Sequence, residues 1–185
     1  MAHTDNAAMR FVDSHLNAGR ADKPAFREVD GKQRTLTYGA LAHGSGRAAA
    51  AMQAAGLRRE ERAAMLLLDT NDYPLLFWGA LKAGVVAVPL NTLLSASIYD
   101  VILRDSRASA LFVSAALYDT VAPVLGDNPW LRTIVVVGGD APAGTVSYDD
   151  FMTGHETAET ADVSPDDVAF WLYSSGSTGQ PKGVT

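Results

Sequence analysis

The sequence has 185 residues, enough for one domain with a hydrophobic core, and a length that also suits a piece of something larger. At 48% hydrophobic and 19% charged it is far from the low-hydrophobicity, high-charge signature of disorder, so the chain is expected to fold. A net charge of -6 argues against broad binding to nucleic acid or anionic lipid, and the lack of cysteine excludes disulfides, thiolate catalysis and Cys-ligated zinc.

The opening MAHTDNAAMRF has neither the charged start nor the apolar run of a secretory signal, so it reads as mature protein with the cytoplasm as default compartment. Asn6 is placed to cap a helix in which Met9, Val12 and Leu16 recur at helical spacing and which Gly19 ends. Ala25 to Val29 and Arg34 to Tyr38 flank Asp30-Gly31, a hairpin-turn dipeptide because glycine tolerates positive φ. Thr37 then caps a long alanine-rich helix through Ala55, with Leu41, Ala48, Met52 and Ala55 near one face and Gly56 as terminus.

Ala63 to Leu68 predicts a buried strand, Asn71 to Ala83 a helix and Val85 to Pro89 a second strand. The most membrane-like segment, Tyr73 to Leu90, contains Lys82, which would cost about 2.5 to 3.5 kcal/mol at the centre of a spanning helix. Pro74, Gly79, Gly84 and Pro89 also interrupt it, so no membrane insertion is expected. The alternation continues with a helix over Ser95 to Ser106, a strand over Ala110 to Val113, a helix over Ala115 to Leu125 and a strand over Thr133 to Val137. This pattern defines an α/β fold, a largely parallel sheet with helices on both faces. Residues 138 to 167 read as a surface connection with one short helix near Tyr148 to Met152. Val168 to Tyr173 then predicts a strand that leads into a Ser/Gly/Thr loop, where ligands of open α/β sheets generally sit.

That loop, Ser174 to Gly183, reads SSGSTGQPKG. A phosphate chain needs hydrogen-bond donors at close approach, and Gly176, Gly179 and Gly183 leave the backbone unobstructed. The hydroxyls of Ser174, Ser175, Ser177 and Thr178 add rotatable donors, and Lys182 adds a point charge suited to phosphate. It is not a Walker A loop, because Lys182 lies between Pro181 and Gly183 rather than before Ser or Thr at a helix start. Pro181 pushes Gln180 toward extended backbone, so the loop is expected to join two strands. The G-x-S-x-G pattern of a hydrolase elbow is also absent, which makes Ser177 a binder rather than a nucleophile. Composition alone leaves a ligand-free solvent loop open as the alternative.

Other residues read as structural. His3, His15, His43 and His155 show no metal-ligand spacing, and Gly44-Ser45-Gly46 sits inside a helical pattern where close packing or a kink explains it. Phe77, Trp78 and Leu81 read as packed core, and Asp166-Asp167 as a solvated turn.

The string YSSGSTGQPKGV resembles the phosphate-binding signature of the adenylate-forming superfamily of acyl-coenzyme A synthetases, peptide-synthetase adenylation domains and luciferases. Through DTNDYPLLFWGALKAGVVAVPLNTLL, Asp105-Ser106-Arg107 and FWLYSSGSTGQPKGV, the resemblance is to the benzoate-coenzyme A ligase group and extends across nearly the whole chain. It implies that a carboxylate attacks the α-phosphate of Mg-ATP to give an acyl-adenylate and pyrophosphate, and that coenzyme A then takes the acyl group as a thioester. Ser174, Ser175, Gly176, Ser177, Thr178, Gly179, Lys182 and Gly183 would hold the β- and γ-phosphates, and Lys182 would stabilise the departing pyrophosphate. The Thr178 or Ser174 hydroxyl suits Mg²⁺, although one loop does not define an octahedral site.

The same resemblance implies that residues 1–185 are the N-terminal part of the AMP-binding large domain. The remainder of that domain and a C-terminal domain with its adenylation lysine would lie outside them, and these residues alone would be inactive. A fatty acyl-coenzyme A ligase, a carrier-protein adenylation domain and a noncatalytic nucleotide-binding module stay open as alternatives. So do the identity of the acid and a homo-oligomeric state.

Overall fold

The computed structural model describes residues 5–29, 32–175 and 181–185. Asn6 starts the first helical segment with its side chain, Oδ1 accepting from the Ala8 amide at 3.0 Å. A π-helical turn, Met9–Asp13, runs into α1 (Ser14–Asn17), and Gly19 ends the segment at φ 68°. Strands β1 (Pro24–Arg27) and β2 (Thr35–Thr37) pair antiparallel, and the Asp30-Gly31 turn expected between them lies outside the described residues. Thr37 Oγ1 accepts from the Ala40 amide at 3.2 Å and so opens α2 (Tyr38–Ala54).

Next come β3 (Arg62–Leu66), α3 (Asp72–Ala83) and β4 (Val86–Pro89). They are followed by α4 (Ala96–Asp105), β5 (Ala110–Ser114) and α5 (Ala115–Val121). The helix expected through Leu125 tightens to a 3₁₀ turn at Ala122–Val124, since Pro123 has no amide hydrogen to continue the α ladder. The remainder is β6 (Thr133–Val137), β7 (Val146–Ser147), α6 (Tyr148–Met152), β8 (Leu172–Ser175) and β9 (Pro181–Val184).

The chain divides into two units. The first comprises Met1–Arg59, Asp69–Val85 and Gly154–Ala169. Here α2 and α3 approach so closely that a Cβ on Gly79 would lie 2.6 Å from the Ala48 Cβ and one on Gly44 2.6 Å from Leu75 Cδ2. Gly44 therefore serves helix packing, while Gly46 makes room for Thr157, whose Cβ would lie 3.0 Å from a Cβ at that position. Of the apolar positions expected to form one stripe, Val12 is buried while Met9 and Leu16 are 40% and 38% exposed. The π turn explains this, because it takes more residues per turn and moves positions chosen at α spacing off a common face. Leu81 is buried as expected, whereas Phe77 and Trp78 are half-buried and line a cavity of about 450 Å³ with Phe26, Tyr73 and Pro74.

An ion network fixes the β1–β2 end of this unit. Glu28 Oε1 accepts from Arg34 Nη2 at 2.7 Å and from the Asn71 amide at 2.7 Å, while Arg34 Nη2 reaches Asp72 Oδ2 at 2.8 Å. Hydrogen bonds from Arg34, and then from the Asn71 amide, hold the Glu28 carboxyl at about 2 instead of its ordinary 4.5. A carboxylate with a depressed folded-state value contributes stability that is present above its unfolded value and lost as pH falls through the folded one. Unfolding free energy is therefore expected to decline between pH 4.5 and about 2, with a flatter profile in Glu28→Gln, measured by urea titration across that window. Equal slopes for the two proteins would assign the acid loss to another group.

The second unit comprises Glu60–Leu68, Val86–Thr153 and Phe170–Thr185. Its five-stranded sheet has the order β4-β3-β5-β6-β7 and is parallel at every pairing. Leu66, Val88, Leu111, Val113 and Val136 face a core completed by Tyr99, Ile102 and Leu103 of α4 and Val121 of α5. Phe112 points the other way along the pleat and meets Phe151 of α6 with ring centroids 5.3 Å apart. Helices thus cover both faces, the α/β architecture expected from the sequence. Strand β7 was not legible, being only Val146 and Ser147. No helix among the described residues is long and apolar enough to cross a membrane.

Candidate functional site

The segment expected to hold phosphate is flanked by an antiparallel hairpin, β8–β9, separate from the parallel sheet. The expectation that the loop joins two strands holds. The entering strand, however, forms over Leu172–Ser175, not over Val168 to Tyr173. Phe170 contributes only an isolated parallel bridge to Ala87, with the Trp171 amide donating to the Ala87 carbonyl at 2.9 Å. Because that bridge is parallel, the residues after Phe170 run on past Pro89, the carboxyl end of β4. Ligands of open α/β sheets bind at such an end.

Across the hairpin, Ser174 stands opposite Lys182, the Ser175 backbone opposite Pro181, and Tyr173 opposite Gly183. Direct cross-strand neighbours sit about 5 Å apart at Cβ, so the fold brings a hydroxyl and an ammonium group to the two sides of one mouth. Ser174 and Lys182 are exposed, and Lys182 makes no ion pair with another described residue. Gly176, Ser177, Thr178 and Gly179 lie outside the described residues.

Two residues to which the sequence reading assigned no site role hold the hairpin. Tyr173 Oη donates to Asp105 Oδ2 at 2.6 Å, fastening β8 to the end of α4. Burial, and then the Asp105 carboxylate, push the Tyr173 phenol well above its usual range, so it stays a donor. Its position directly before the serines was the available signal. Two cavities adjoin the hairpin. One, of about 260 Å³, is lined by Ser174, Tyr173 and Pro181 together with the apolar Leu90, Leu94 and Ile98. The other, of about 380 Å³, is lined by Lys182, Gly183, Trp171 and Asp105.

Of the residues set aside as structural, His3 lies outside the described residues, and His15 and Asp167 have structural partners. His15 stacks on Tyr38 with centroids 3.8 Å apart and accepts from Arg20 Nε at 2.9 Å. Asp167 pairs with Arg59 and accepts from the Ser164 amide at 2.9 Å. Among the described residues, no group of three or more His, Asp or Glu side chains could hold a metal ion.

Beside the parallel α/β sheet, the last two described strands flank a Ser/Gly/Thr segment with Lys182 on the second of them, and the sequence matches the AMP-binding enzyme family over residues 14–185. The chain belongs to that family. It is 43% identical to the 4-hydroxybenzoate–CoA/benzoate–CoA ligase of Rhodopseudomonas palustris, an alignment covering 97% of this chain and 33% of that enzyme. It is 42% identical to the benzoate–CoA ligase of Thauera aromatica, again over 97% of this chain and 33% of the relative. Among solved structures, the anthranilate CoA ligase AuaEII in complex with anthranoyl-AMP superposes with a TM-score of 0.91 at 32% identity, covering 98% of this chain and 34% of that one. The chain therefore spans about 33% of the length of these curated relatives.

Proposed function

We propose that the intact protein is an ATP-dependent aryl-coenzyme A ligase and that residues 1–185 are the N-terminal part of its adenylating domain. The observation that carries this reading is the 43% identity, over 97% of this chain, to a 4-hydroxybenzoate–CoA/benzoate–CoA ligase, and the hairpin that sets Ser174 opposite Lys182 accords with it. In the first half-reaction an aromatic carboxylate oxygen attacks the α-phosphorus of ATP, and the bond to the bridging oxygen breaks to release pyrophosphate. In the second, the coenzyme A thiol, losing its proton, attacks the acyl carbon and AMP departs. Ser174, Ser175, Gly176, Ser177, Thr178, Gly179 and Gly183 donate to the β- and γ-phosphates, and Lys182 neutralises the charge that builds on the leaving group. Mg²⁺ supplies further charge neutralisation when bound, and the Ser174 or Thr178 hydroxyl has the hard oxygen it prefers. The acidic, cysteine-free sequence accords with a cytoplasmic setting.

The test is a panel of benzoate, hydroxybenzoates and fatty acids on the intact enzyme, read as acid-dependent ATP–pyrophosphate exchange and as thioester formation. Aromatic acids are expected to exceed fatty acids by at least about 10-fold in kcat/KM. A fatty-acid preference would overturn the substrate class, and nucleotide binding without exchange would overturn the activity. A polypeptide of residues 1–185 alone is expected to show no exchange.

A further inference from the structure

Asp105, Ser106 and Arg107 close α4 and between them hold three neighbours, the Ser106 side chain reaching Tyr173 as Asp105 does. Asp105 accepts from Tyr173 Oη at 2.6 Å, the Ser106 carbonyl accepts from Arg62 Nε at 2.6 Å, and the Arg107 guanidinium lies 5.0 Å from the Trp130 ring centroid. Arg62 in turn sits 5.9 Å over the ring of Trp171, two residues before Tyr173, so the end of α4 reaches the β8 segment by two routes. Strand β9 is held from the same point. A Cβ added to Gly183 would lie 3.3 Å from Tyr173 Cζ, so the ring packs directly on the Gly183 backbone. One side chain therefore touches α4 through its hydroxyl and β9 through its ring while belonging to β8.

We propose that Tyr173 is a positioning residue for adenylation: its bond to Asp105 and its contact with Gly183 fix both stems of the hairpin against α4, and so set Ser174 and Lys182 at the separation that pyrophosphate requires. The proposal rests on the phosphate-holding role given to that hairpin. It deepens that role by assigning a task to the Asp105-Ser106-Arg107 segment, which touches none of the reacting groups. A charge-assisted hydrogen bond suits this task because it is short and directional. Small misplacement of preorganised donors carries large rate costs.

The test uses the intact enzyme with Tyr173→Phe, which keeps the ring on Gly183 and removes only the hydroxyl, with Asp105→Ala, with both changes together and with Lys182→Ala. Exchange kinetics and transfer from preformed acyl-adenylate to coenzyme A are measured separately, alongside Tm. Tyr173→Phe is expected to lower kcat/KM for ATP in exchange by about 10-fold, with transfer within about 2-fold and Tm near that of the parent. The double variant is expected to be no worse than the poorer single one, because both changes break the Tyr173–Asp105 bond. Unchanged exchange in Tyr173→Phe, or parallel loss in both half-reactions with a fall in Tm, overturns the positioning role. If Lys182→Ala slows exchange and Tyr173→Phe does not, only the positioning role fails. If Lys182→Ala also leaves exchange unchanged, the phosphate-holding reading fails and the positioning role with it.

Discussion

Replacing Lys182 by alanine in the intact enzyme is expected to slow acyl-adenylate formation about 100-fold while changing transfer from preformed acyl-adenylate to coenzyme A by less than about 3-fold. The asymmetry follows from when the charge is present. In the proposed reaction pyrophosphate departs only in the first half-reaction, so a cation directed at its oxygens lowers that barrier alone. Lys182 suits this role because its ammonium is exposed at the hairpin mouth, is opposite Ser174, and is paired with no other described residue. An uncommitted charge can be given wholly to the transition state, whereas one already held by a carboxylate would first have to be released. Lys182→Arg should recover part of the loss, since charge is kept while the compact point charge becomes a larger planar fork. Quench-flow measurement of adenylate formation and single-turnover thioester formation separate the two steps. Equal slowing of both would remove Lys182 from the pyrophosphate site.

The sequence disclosed the elements where periodicity and caps coincide, as at Thr37 and α2 or Ser147 and α6, because both signals are local. It misplaced β8 because apolarity reports a tendency to be extended, not the location of a hydrogen-bonding partner. Val168, Phe170 and Leu172 are exposed, and the ladder forms four residues further on, where Pro181 to Val184 supplies the opposing backbone. It missed the π turn because 3.6 spacing is assumed in reading a stripe. At the candidate site, the position of Ser174, Lys182 and Gly183 on two strands flanking the loop was legible from Pro181, which signalled a strand-to-strand connection. The Tyr173–Asp105 contact was not, since its members are 68 residues apart and neither belongs to a motif that announces pairing.

The same distinction between local and long-range signals governs stability. The sequence marks Lys82 as a charge in an apolar segment, and the structure buries it at 5% exposure with Nζ donating to Asp13 Oδ1 at 2.8 Å and to the Ala42 carbonyl at 3.1 Å. Asp13→Ala is expected to cost about 3 kcal/mol, because it strands a buried ammonium with a single neutral acceptor. Lys82→Met should cost less than about 1 kcal/mol. Methionine fills nearly the same volume and needs no partner, and the released Asp13 carboxylate, whose side chain is 27% exposed, can be solvated in place. The reversal tests what the ion pair contributes: if the pair were a net source of stability, either deletion would cost the same. Urea unfolding of Asp13→Ala, Lys82→Met and the double variant decides it. In the double variant the Asp13→Ala loss should nearly vanish, since no buried charge remains to be left without its partner.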